Sequence, residues 1–163
     1  MKRLILVLMC GVLAGCDFSV PLVKAPERAI DPGGVGLWER TNDGQKESLL
    51  VLPLGKQEYL VSFPAGSTNA MFAKACLCSA AGKTLVQLEW FGTASAKLPE
   101  NSRVYQFAVY TIAGDTLTIR LLNADLVNRE AKSTAELAKT ITDHQDKPEL
   151  FRDEMVFGRV NVK

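Results

Sequence analysis

Histidine occurs once in these 163 residues, and that scarcity withholds the side chain on which most acid–base and nucleophilic schemes rely at neutral pH. His144 sits in Thr142-Asp143-His144-Gln145-Asp146 with no serine nucleophile elbow or metal-binding repeat around it, and it reads as a solvated loop residue. The carboxylates Glu39, Glu58, Glu89 and Asp115 are scattered singly, so a paired-carboxylate hydrolase has little support. No phosphate-binding loop is present. Neither sign of charge predominates: 19 Lys and Arg stand against 18 Asp and Glu. Without a basic stripe or an acidic tail, the chain offers no electrostatic basis for binding nucleic acid. No apolar run reaches the roughly 20 residues that a membrane-spanning helix needs. These absences argue against an enzyme, a resident metal and a cofactor.

What is present begins at the N-terminus. Met1-Lys2-Arg3 is a short cationic head, Leu4 to Leu13 is almost wholly apolar, and small residues follow, which is the layout of a secretory signal. Leu13-Ala14-Gly15-Cys16 closes that run and resembles the lipobox at which bacterial lipoprotein precursors are acylated and cut. The resemblance implies a signal peptide over residues 1–15, cleavage between Gly15 and Cys16, and lipid on Cys16 that holds the chain to a membrane of the bacterial envelope, where several acyl chains make anchoring stable. An aspartate after the acylated cysteine resembles the signal for retention in the inner membrane, so Asp17 points to the periplasmic side of that membrane, with the outer membrane as the alternative. Loss of Lys2 and Arg3 with the signal would shift the formal charge from +1 to just below zero.

Residues 16–34 carry Pro21, Pro26, Pro32 and Gly33-Gly34 with no apolar period, and read as a flexible tether, although Val20, Leu22 and Val23 offer apolar groups that could pack on the domain. Residues 35–163 read as a single β domain. Gly36 to Thr41 runs to an Asn42-Asp43-Gly44 turn; Ser48 to Leu54, Glu58 to Phe63, Phe72 to Ser79 and Lys83 to Phe91 are β-type runs separated by Gly-containing turns. Val86, Leu88 and Trp90 alternate with Gln87 and Glu89, giving one buried and one wet face. Val104 to Leu122 is the strongest hairpin signal. Around Gly114-Asp115 a two-residue loop would set Tyr110 beside the Leu117 face and a three-residue loop would set Val109 there. In either register one face of Tyr105 to Ile112 needs cover from outside the main core.

Ser133-Thr134-Ala135-Glu136 is a capping box opening a helix, with Leu137 and Ile141 on one face. Asp146-Lys147-Pro148-Glu149 has the pattern of a second helix start with Asp146 as cap, and Met155 to Val162 reads as the final strand. About eight short strands with one helical segment before the last define a mainly β fold: a small antiparallel barrel or a strongly curved sheet, closure being the way to remove exposed edges. Gly36-Leu37-Trp38 at the first strand is similar to the opening motif of lipocalins and related calycins, which implies a lipocalin-like barrel with Trp38 plugging one end. The chain as a whole resembles small bacterial envelope lipoproteins, a resemblance that implies location and no activity.

Cys76 and Cys78, at i and i+2 on a strand, project from one face and could ligate a soft metal. Two ligands make a poor site, and an extended i, i+2 pair lies near the ~6.8 Å Cα limit for an unstrained disulfide, so buried structural thiols are expected. Two nonenzymatic functions remain: a protein-interaction or envelope-assembly module using the outside of the barrel, and a carrier of one small apolar ligand inside it. Trp38, Phe63, Trp90 and Phe107 are the large groups available to fill or line that interior.

Overall fold

A computed structural model describes residues 17–99 and 102–161. The signal segment, the cleavage position at Gly15, the lipid site Cys16 and the end of the expected last strand at Val162 lie outside the described residues. Eight strands form one closed antiparallel barrel in chain order: β1 (Gly36–Asn42), β2 (Gln45–Pro53), β3 (Glu58–Phe63), β4 (Met71–Ala80), β5 (Lys83–Thr93), β6 (Tyr105–Ala113), β7 (Thr116–Leu122) and β8 (Phe151–Arg159). Each pairs with its chain neighbours, and β1 closes on β8 through Trp38 opposite Arg159 and Glu39 opposite Gly158. One helix, α1 (Thr134–Asp143), lies before the last strand.

Turn chemistry sets the register. Asp43 and Gly44 both have positive φ, 49° and 76°, as the tight turn between β1 and β2 requires. Gly114-Asp115 forms a two-residue loop, with Ala113 opposite Thr116 and Ile112 opposite Leu117, so Tyr110 faces Ile119 on the Leu117 side. The barrel interior is then the alternate set: Trp38, Leu49, Tyr59, Val61, Ala73, Ala75, Leu77, Trp90, Leu117 and Phe157 pack as one core, with Phe63, Leu88, Tyr110 and Met155 against it. Gln106 is the buried polar exception and accepts from Trp90 Nε1 at 3.2 Å. Phe107 departs from expectation. It points outward, because a two-residue loop places the odd-numbered residues of β6 on the outer face.

A second core forms outside the wall. Cys78, Leu85 and Phe107 on the outer faces of β4 to β6 meet Leu137 and Ile141 of α1, Val127 and Ala131 of the preceding loop, and Phe18 and Leu22 from the N-terminal stretch. The doubly apolar β6 is thus covered by the chain itself. Ser133 Oγ accepts from the Glu136 amide at 3.1 Å, as a capping box should. Glu136 reaches one residue further back than the pattern predicts, accepting from Lys132 N at 2.9 Å and from Asn128 Nδ2 at 3.1 Å. The expected second helix is a single 3₁₀ turn, Pro148–Leu150, that Asp146 does not cap; Lys147 holds the cap position without a side-chain bond. β8 begins four residues earlier than its alternation indicates, since Asp153 (φ 56°) lies where the β7–β8 register shifts and breaks the apolar period.

The stretch read as a tether is folded against the barrel. Phe18 is 1% exposed; it exchanges backbone hydrogen bonds with Tyr105 at 3.1 and 3.0 Å and stacks edge-on to Phe107 at 5.3 Å. Gln87 reaches out of β5 to accept from Leu22 N and Val23 N, at 2.7 and 3.0 Å, and donates to Val23 O at 2.9 Å. Thr134 Oγ1 donates to Pro21 O at 2.7 Å, tying the same strap to the start of α1. The prolines prevent regular pairing but leave carbonyls and alternate side chains free to dock, which is what Phe18, Leu22 and Gln87 use.

Candidate functional site

Beyond Val23 the strap crosses the barrel end formed by the β2–β3, β4–β5 and β6–β7 turns. Arg28 donates to Ser79 Oγ at 2.6 Å, and Ile30 N donates to Lys56 O at 3.0 Å. Asp31 is the pivot. Its Oδ1 accepts from Gly33 N at 2.8 Å and caps a 3₁₀ turn, Pro32–Gly34. Its Oδ2 accepts from Tyr110 Oη at 2.9 Å, and its backbone N–H donates to Tyr59 Oη at 2.5 Å. Burial pushes the Tyr110 phenol well above its ordinary range, helped by the bond to Asp31 and that carboxylate's charge; burial raises Tyr59 as well. Both phenols therefore stay protonated and act as hydrogen-bond groups rather than as acids.

The same end is sealed by Trp38, which is fully buried. Its Nε1 donates to Gly34 O at 3.0 Å. Arg159 lies over the indole, 4.0 Å from its centroid, and donates to Gly33 O and Val35 O at 2.7 and 3.0 Å. Gly36 makes room for this: its φ is 141°, and a β-carbon there would come within 3.1 Å of Arg159 Nη1. Chemically the arrangement is a latch. Its side chains bond to one another and to the strap's backbone, and no buried polar side-chain atom among the described residues lacks a partner.

At the opposite end Arg40 pairs with Glu47 at 2.6 Å and lies over Phe63 and Phe157, 5.6 and 5.2 Å from their centroids. Two concavities lie on the outside. One, about 180 Å³, runs between Val23–Pro26 and the outer face of β3 to β5; the other is an open depression by Thr41, Lys46 and Val160.

Cys76 and Cys78 are buried free thiols on the outward face of β4. Burial raises Cys76 to about 11, with help from Glu58 and Glu89, and raises Cys78 to about 12, with help from Cys76 against the opposing charge of Arg28. Among the described residues no group of three or more His, Cys, Asp or Glu could hold a metal. Because both thiols are held above the ~8.5 of a free cysteine, they favour the neutral form. Their contribution to stability is complete below that value and lost as pH rises toward 11 and 12. Replacing both by alanine should cost ~1–3 kcal/mol near neutrality and flatten the alkaline fall in stability, read by denaturant titration across pH. The native protein should resist alkylation at both positions.

His144 ends α1, its Nδ1 2.8 Å from Thr140 O. Glu39 pairs with Lys46, Asp115 lies 3.6 Å from Arg159, and Glu58 and Glu89 line the outer groove beside Cys76. The fold brings Glu58 and Glu89 to one wall and leaves His144, Glu39 and Asp115 apart from them. The latch itself was missed by reading for chemistry; its one legible member was Gly36-Leu37-Trp38, while Asp31, Tyr59, Tyr110 and Arg159 come together only through closure. The chain is thus a closed, strap-latched eight-stranded antiparallel barrel. No protein-family model, curated protein or solved structure matches it.

Proposed function

We propose that this protein is a lipid-anchored bacterial envelope lipoprotein whose barrel serves as a nonenzymatic protein-interaction or envelope-assembly module. The supporting observation is the interior packing: Trp38, Trp90, Phe157 and their neighbours form one apolar cluster inside the barrel, the strap is latched across one end, and Arg40 pairs with Glu47 at the other. An eight-stranded barrel is at the size where side chains alone can fill it. Anchoring follows from the resemblance of Leu13-Ala14-Gly15-Cys16 to a lipobox, and Asp17 favours the inner membrane.

Three measurements test this. Cells fed a labelled fatty acid should label the wild type and not the Cys16→Ser variant; equal labelling rejects the anchor. A photo-crosslinking residue at Leu52, Phe91 or Val156, large apolar side chains left on the outer surface, should capture one envelope protein in cells, and native mass spectrometry should find the purified barrel empty. An apolar molecule that copurifies, and is lost when the interior Leu88 is enlarged to tryptophan, would instead establish a carrier.

A further inference from the structure

We infer that the barrel is seated directly on the bilayer, in a fixed orientation, because Phe18, two residues after the lipid-bearing position, is already docked in the folded body. This rests on the lipoprotein reading above and says what the anchor does to the domain. Residues 16–34 in an unfolded state would let the barrel stand tens of ångströms off and tumble, since a flexible linker spans about 5–6 Å × √n. The docked strap removes that length. Phe18 is held by two backbone bonds to Tyr105, by Phe107 at 5.3 Å and by near-complete burial. Leu22, Val23 and Pro21 are then held by Gln87 and Thr134. Between Cys16 and Phe18 the fully extended chain covers only about 7 Å.

The wall nearest the anchor follows from where the strap enters. Phe18 lies beside the start of β6 and shares the outer core with Ala124, Val127 and Ala131. Asp17 is near enough to Arg152 for its charge to favour the guanidinium. The outer wall formed by the start of β6, the 123–131 segment and the start of β8 therefore lies next to the lipid. β2, four strands around the barrel from the β6 edge beside which Phe18 enters, lies on the far side. The occupant of that anchor-side wall is the bilayer surface itself.

The test uses the lipidated protein purified from cells and returned to phosphatidylethanolamine–phosphatidylglycerol vesicles carrying an acceptor dye. Donor dyes go on Asn128→Cys, in the anchor-side loop, or on Lys46→Cys, exposed on β2; Cys76 and Cys78 are buried and do not compete. Energy transfer to the membrane is expected to be at least twofold greater from position 128, and a flexible twelve-residue Gly-Ser insertion between Asp17 and Phe18 should bring the two positions to parity. Equal transfer in the unmodified protein, or a difference that the spacer leaves unchanged, overturns the seating while leaving the anchor intact. A wild type that takes up no labelled fatty acid overturns both.

Discussion

Trp38→Ala is expected to lower the unfolding free energy by ~3–5 kcal/mol, the range for deleting a buried Trp or Phe. Against a domain stability of roughly 5–15 kcal/mol, that loss approaches the whole margin. The indole is fully buried between the interior core and the strap. Removing it leaves a void at the barrel end and strips the Gly34 carbonyl of its donor. It also takes away the surface on which Arg159 lies. Denaturant titration should show a lower midpoint with an unchanged slope. Arg159→Met, which keeps the stem over the ring and removes only the guanidinium bonds to Gly33 and Val35, should cost clearly less. Equal costs for the two would mean that the guanidinium and not the packing holds this end.

Phe18→Ala should cost a similar ~3–5 kcal/mol and change what a protease sees. Phe18 belongs to the outer core, so its truncation opens a cavity shared with Phe107 and Leu137 and loosens the strap as far as Gln87. Limited proteolysis should then cut within residues 19–30 while the barrel survives at low temperature. A change within ±0.5 kcal/mol, the usual range for a surface substitution, would return residues 17–34 to the status of a tether.

The barrel was legible in the sequence because its strands alternate and its turns carry Gly, and Asp43 beside Gly44, at positions with positive φ, Ala81 being the exception. Leu117 and Ile119 gave part of one interior row directly, and Ser133-Thr134-Ala135-Glu136 gave the helix start. The register of β6 was not legible, since both of its faces are apolar; only the outer core explains why. The strap was hidden by three prolines and a glycine pair, which mask an alternation of Phe18, Val20 and Leu22 that in hindsight marks an extended, docked segment. Asp146 failed as a cap because the chain has only one turn to make before β8 must start. Asp31 and Arg159 carried no local pattern at all: each is an ordinary charged residue until the two barrel ends of the chain meet.

That meeting has a kinetic side. The seam joins β1 to β8 through Trp38 and Arg159, which are separated by nearly the whole described chain. Pairings this distant in sequence form late, because their loop-closure entropy must be met before any contact repays it. Until β8 has emerged, β1 has no second neighbour, Trp38 has no Arg159, and the latch cannot form. A chain built this way stays an open sheet until β8 is free to pair with β1, and only then does the barrel close.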